Sequence, residues 1–219
     1  MYRIIPLSLL LCLVCLLNGC DTPSKNVIYD LRCENLQNPL SIDHTAPRLS
    51  WKLKADKNGE KQTAFQILVA TDPLLLEEGK ADLWDSGKDL SPTSVMVKYA
   101  GKNLTGKPLV YWKVRAWDTA DNATIWSETA CFGTGLTNDE IGKAKYVGLP
   151  KEMGSYQSPL IRKQFEAKEN TEKMLLYVNS VGYHEVYVNG EKIGDYVLTP
   201  AVSQLNKRSL YNTYDITSY

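Results

Sequence analysis

Tyr111-Trp-Lys-Val-Arg-Ala-Trp-Asp118, with Trp126-Ser127 beyond it, is the stretch that decides the fold. Trp112, Val114 and Ala116 fall on one face of an extended chain, and Tyr111, Lys113, Arg115 and Trp117 fall on the other. That two-residue period is the mark of a half-buried β-strand. Upstream, Thr45-Ala-Pro-Arg-Leu-Ser-Trp51 starts a matching run in which Leu49, Trp51 and Leu53 oppose Arg48, Ser50 and Lys52. Phe65, Ile67 and Val69 repeat the alternation within Thr63–Ala70, and Val95, Val97 and Tyr99 repeat it again. Turn signals at Lys57-Asn-Gly59, Asp85-Ser-Gly87, Gly101-Lys-Asn103 and Thr119–Asn122 separate the runs. The one helix-like patch, Pro73–Leu83, follows Thr71-Asp72 as a cap and suits a turn or two within a loop. Several short strands with regular turns predict a β-sandwich.

Composition agrees with a folded β protein. Hydrophobic residues make up 43% of the 219 positions, enough for a sizeable core. Lys+Arg and Asp+Glu number 25 each, so nothing attracts the chain broadly to nucleic acid or anionic lipid. The 13 Tyr outnumber the 3 Phe, and with 5 Trp they suit sheet faces that pair an apolar body with a polar handle.

Strand patterns resume after a connection, residues 138–157, that contains Gly, Pro150 and little periodicity. Ser158-Pro-Leu-Ile-Arg-Lys-Gln-Phe165 predicts one strand and Lys173–Val178 a second. Tyr183-His-Glu-Val-Tyr-Val-Asn-Gly190 predicts a third that turns at Asn189-Gly190, the strongest short-range hairpin signal. Thr199-Pro200 and Leu210-Tyr-Asn-Thr-Tyr-Asp-Ile-Thr217 follow. Four or five strands can be counted over 158–219.

These phrases carry a resemblance. Leu104 followed by Trp112-x-Val114-x-Ala116-x-Asp118 resembles the fibronectin type III pattern around its sixth strand. Ser158–Phe165, Val186-Tyr-Val-Asn-Gly190, Leu198-Thr-Pro200 and Tyr211–Thr217 resemble the galactose-binding-like jelly roll that follows such a sandwich in the bacterial α-L-rhamnosidases of glycoside hydrolase family 78. The chain departs from that pattern after Pro200, where the family usually places an aromatic residue and Ala201-Val-Ser-Gln-Leu205 stands instead. The resemblance implies an all-β protein: a fibronectin type III-like sandwich over 27–137 and an incomplete jelly roll over 158–219. Set against the jelly roll of about eight strands that the resemblance implies, the second region reads as one cut through its middle in a longer gene product or a prematurely ended frame; a small self-contained domain is the alternative. It also implies a parent enzyme that removes terminal α-L-rhamnose from glycans by inversion, with its acid and base on an (α/α)6 barrel C-terminal to the jelly roll. No residue here inherits a catalytic role, no cofactor is implied, and the chain alone is expected to be inactive. A surface-tethered carbohydrate-binding or adhesive protein is the competing reading, and a decayed product a third.

Residues 1–19 read as a secretory signal: Arg3, then an apolar run from Ile4 to Leu17 too short to span a bilayer comfortably. It ends in Leu17-Asn-Gly-Cys20, which resembles a lipobox, so Cys20 is the expected lipidation site and 20–26 a tether. Acyl burial would then hold the protein on a membrane, periplasmic or cell-surface side. Of the other cysteines, Cys12 and Cys15 leave with the signal. Cys33 and Cys131 either form a disulfide or stay as separately buried thiols. Two histidines, His44 and His184, cannot build a zinc site, and no Cys-x-x-Cys appears, so no metal is expected.

Glycoside hydrolysis needs two carboxylates across the scissile bond. Asp139, Glu140, Glu169 and Glu185 are the candidates, and solvated surface acids are the plainer reading of each. Trp51, Trp112 and Trp126 are expected to pack. Trp84, Tyr111 and Trp117 are the rings that either pack or face outward to stack on a sugar.

Overall fold

The computed structural model describes residues 24–150, 158–169, 171 and 173–219; the expected leader, Cys20 and the start of the tether lie outside them. The chain separates into two compact units. The first holds 24–37, Ala46–Lys102 and Tyr111–Ala130. The second holds Asn38–Thr45, Asn103–Val110 and the described residues from Cys131 onward.

In the first unit, β1 (Val27–Cys33), β2 (Arg48–Lys54) and β5 (Val97–Lys98) form one antiparallel sheet in the order β1-β2-β5. The β1–β2 register slips between Tyr29 and Arg32, where Asp30 takes φ 51°, a β-bulge. Asp30 turns that distortion to use: Lys52, Arg32 and Gln37 all bond its carboxylate and hold it well below the usual carboxylate range. Opposite lies a sheet built on β3 (Ala64–Ala70), flanked by β4 (Trp84–Asp85) and β6 (Val110–Trp117). Every residue of β3 is buried, as expected of a central strand covered on both faces. Leu49, Trp51, Phe65, Ile67, Val69, Trp112 and Val114 form the buried apolar set. Trp51 meets Phe65 edge to face at 5.2 Å, and its indole N–H donates to Gln62 Oε1 at 3.0 Å. Gln62 in turn donates to the carbonyls of Ser91 and Thr93, so this buried amide is satisfied.

Two local expectations change. Met96 adopts φ 57° and donates its N–H to Ser50 Oγ at 2.9 Å, which breaks the Val95/Val97/Tyr99 alternation. Val95 is left 62% exposed while Tyr99 is buried. The helix-like patch reduces to one 3-10 turn, Pro73–Leu75, capped by the Asp72 carboxylate accepting from Leu74 N–H.

β7 (Ala130–Phe132) lies where the two units divide along the chain. The expected connection opens with a short helix, α1 (Asn138–Gly142), started by a Thr137/Glu140 capping box. In the second unit, β8 (Leu175–Asn179) pairs antiparallel with β11 (Tyr211–Asp215). β9 (Tyr187–Val188) and β10 (Glu191–Lys192) form the expected hairpin, with φ 50° at Asn189 and 90° at Gly190. Positive φ at both central positions is why Asn-Gly is needed there. Ile193, Tyr214 and Ile216 make a small core, joined by Met174, Leu176, Val178, Val186 and Val188. Ser158–Phe165, expected as a strand, joins no ladder among the described residues. Leu160 is 102% exposed, with Ile161 and Phe165 also open. Its apolar content asks for cover, but a strand also needs a backbone partner, and no described segment supplies one.

Cys33 and Cys131 are both free thiols, so the disulfide alternative is not realised in this structure. Burial pushes the Cys33 thiol up to about 12 and raises that of Cys131, which suits inert packing groups.

Candidate functional site

The register decides what the three candidate stacking rings can do. Trp84 and Trp112 both stand opposite Val69, so Trp84 shares the inward row of the sheet. Its ring packs edge to face on Tyr99 at 5.2 Å. A Cβ added at Gly101 would lie 2.5 Å from the Trp84 Cβ, so glycine is what lets the chain pass there. Tyr111 and Trp117 stand opposite Ala70 and Ala64, on the outward row at opposite ends of β3. Six residues of strand set them roughly 20 Å apart. Tyr111 packs on the Leu68, Ala70 and Leu76 cluster. The three rings therefore do not form one sugar platform.

The outward row instead carries a stack of cations and rings that the sequence reading did not assemble. The Arg115 guanidinium lies 4.8 Å from the Trp117 ring centre and 4.7 Å from that of Trp126. Lys113 lies 4.9 Å over Trp126, and Lys88 4.8 Å over Trp117. Gln66, facing Arg115 in register, accepts from two of its nitrogens at 3.1 and 2.8 Å and donates to Asp85 at 2.7 Å. Glu78 pairs with Arg115, and Asp121 with Lys88. Burial pushes the Lys113 ammonium down. Such a stack braces the face of a sheet, because both rings are engaged by cations that are themselves held in place. The available signal was the alternation Lys113, Arg115, Trp117 on one face with Trp126 close behind.

The carboxylates are committed elsewhere. Glu140 Oε2 accepts from Thr137 N–H at 2.8 Å and from its hydroxyl at 2.7 Å, bonds that hold its carboxyl low. Lys192 and the Tyr187 hydroxyl hold Glu185 low in the same way. A glycosidase general acid must be held high, so neither fits that role. Asp139 and Glu169 are exposed.

The polar cluster in the second unit centres on His184. Its Nδ1 lies 2.7 Å from Ser180 Oγ and its Nε2 3.0 Å from the Tyr214 hydroxyl. Ser180 donates its one proton to the Gly182 carbonyl at 2.6 Å. His184 must then carry its proton on Nδ1 and accept from Tyr214 at Nε2, an assignment made from the bonding network. A nucleophilic serine needs the reverse, an imidazole that accepts from it. Burial also holds His184 below its ordinary value. His44 is exposed. Among the described residues no group of three metal-ligating side chains gathers.

Residues 28–138 match the family described as Rha78A-like, N-terminal immunoglobulin domain. Residues 169–219 match the alpha-L-rhamnosidase N-terminal domain. An alpha-L-rhamnosidase of Formosa agariphila is 34% identical over 202 residues, covering 82% of this chain and 21% of the relative. The solved alpha-L-rhamnosidase of Dictyoglumus thermophilum superposes with TM-score 0.79 at 36% identity, covering 90% of this chain and 24% of that one. That of Streptomyces avermitilis, complexed with L-rhamnose, gives 0.55 at 25% identity over 88% of this chain and 20% of that one. The chain spans about a fifth of the length of the curated relatives it matches.

Proposed function

We propose, for a chain that belongs to the Rha78A-like α-L-rhamnosidase family, that it is the non-catalytic N-terminal accessory region of an exported enzyme hydrolysing terminal α-L-rhamnose from glycans. The observation that carries the reading is the match of both β regions, in order, to N-terminal domains of that family while covering only a fifth of the relatives. The engagement of Glu140 and Glu185 in a helix cap and an ion pair supports it, since a glycosidase needs a pair of carboxylates free for acid and base work. In this reading the two β regions brace the catalytic part of the enzyme. Rhamnose-containing glycans are then ligands of the whole enzyme, and lipid on Cys20 holds it at a membrane surface.

Rhamnose release from p-nitrophenyl α-L-rhamnoside tests the first claim. The 219-residue chain is expected to release none. A chimera carrying it in place of the matching region of the Formosa agariphila relative is expected to be active. Turnover by the chain alone would overturn the accessory reading. Retention of the chain on a rhamnose-rich glycan column without turnover would favour a tethered binding protein instead. Labelled-palmitate incorporation tests the anchor: it is expected in the wild type and lost in Cys20→Ser, and equal labelling would refute it.

A further inference from the structure

One hydroxyl in the second unit is bonded to segments far away in the chain. Tyr211 begins β11 opposite Asn179 and shares its face of the ladder with Thr213 and Tyr177, while Tyr214 points into the apolar cluster. The Tyr211 hydroxyl accepts from Leu136 N–H at 2.9 Å and lies 3.3 Å from Ser41 Oγ. With Leu136 filling an acceptor position, the tyrosine proton is free to be donated to Ser41. The segments it meets are already laced together: Ile42 N–H donates to Gly133 O at 3.0 Å, and Gly135 N–H to Ile42 O at 2.9 Å. Gly135 completes the fit. A Cβ built there would sit 2.8 Å from the Tyr211 oxygen, so a methyl group and the hydroxyl compete for one space. Tyr177 stands edge to face with Tyr211 at 5.9 Å, beside a small hollow lined by Gly106, Pro108, Thr134 and Leu136. The Tyr177 hydroxyl and, on the same face of the ladder, Thr213 Oγ1 are buried without a partner, so Tyr211 provides the satisfied polar tie on this face.

We propose that Tyr211 is a clamp that fixes Asn38–Thr45 and Cys131–Leu136 to the β8–β11 ladder, and that Gly135 is the position kept free of a side chain to admit its hydroxyl. The clamp joins segments that belong to the same compact unit as the ladder. It is a feature of the fold independent of any glycosidase activity, and its test uses no substrate.

The test is a double-mutant cycle in the full chain, read by amide hydrogen exchange and by urea unfolding. Tyr211→Phe keeps the ring and removes the hydroxyl. Exchange at the Leu136 amide is expected to rise roughly three- to tenfold, the factor carried by one net hydrogen bond, with the β8–β11 ladder amides unchanged. Gly135→Ala is expected to lower the unfolding midpoint in the wild-type background and to cost clearly less in the Tyr211→Phe background, because the competing oxygen is gone. Unchanged Leu136 exchange in Tyr211→Phe would overturn the clamp, as would additive costs in the cycle. Should Gly135→Ala fail to fold alone yet fold when combined with Tyr211→Phe, the steric half stands. Should it fold in neither, Leu136 exchange in Tyr211→Phe decides.

Discussion

β3 and β8 are both short, apolar strands, yet they end in different environments. Ala64-Phe-Gln-Ile-Leu-Val-Ala70 is buried at every residue, whereas Leu175-Leu-Tyr-Val-Asn179 is half-buried at every residue. Their apolar content does not separate them; their neighbours do. β3 lies between β4 and β6, with the Trp51 and Phe65 core under one face and the Leu76 and Trp126 layer over the other. Among the described residues β8 pairs with β11 alone, and its apolar face meets a cluster of three buried residues. A two-stranded ladder with thin cover is marginal on its own, whereas a strand paired on both sides and covered on both faces anchors a domain.

The largest way to break this contrast is at Trp112, wholly buried opposite Val69. Trp112→Ala is expected to cost about 3–5 kcal/mol in urea unfolding. Trp112→Phe is expected to cost well under half of that, because the indole N–H it removes is buried without a partner. A matched pair sharpens the contrast: Ile67→Ala in the first unit is expected to cost about 4 kcal/mol, and Ile216→Ala in the second about 2 kcal/mol, because the thinner core can close over the gap. Equal costs would mean that the two cores are equally well packed. Arg115→Met, which keeps the stem but removes the charge between Trp117 and Trp126, is expected to cost about 1–2 kcal/mol.

Acid should discriminate the units through His184. Burial lowers its folded-state value, so the unfolded chain binds the proton more readily. Its contribution is complete above the unfolded value of about 6.5 and is lost as pH falls from there through the folded value. The second unit's unfolding midpoint should therefore drop over that window, and His184→Gln should flatten the slope. A slope unchanged by His184→Gln would place the titration elsewhere. The smallest effect belongs to the open segment. Leu160→Lys is expected to change stability by no more than about 0.5 kcal/mol while reducing binding of a hydrophobic dye. A cost above that would show that Leu160 finds cover in solution.

Much of this was legible because it is local. The faces of Arg48–Lys54 and Val110–Trp117 follow from a two-residue period, and the Asn189-Gly190 hairpin follows from residues that tolerate positive φ. Asp72 as a cap was equally local. The failures share a cause. Ser158–Phe165 is expected as a strand yet joins no ladder among the described residues, because pairing depends on a second segment. Val95 was placed on the wrong side because Met96 turns the backbone to meet Ser50, a residue far upstream. For the candidate rings, alternation put Tyr111 and Trp117 on one face but not at opposite ends of β3, and it said nothing of Trp84 relative to either.

By itself, then, the sequence determined that the protein is all-β, where its main turns fall, and which family its ordered phrases belong to, because alternation and turn chemistry act over a few residues. Tertiary structure alone decided that Trp84 faces inward while Arg115 stacks between Trp117 and Trp126, and that the Tyr211 hydroxyl reaches Leu136 and Ser41. The first depends on register and the second on how the chain returns after β6, while the Tyr211 contacts join residues 75 and 170 positions apart, none of which a local period encodes.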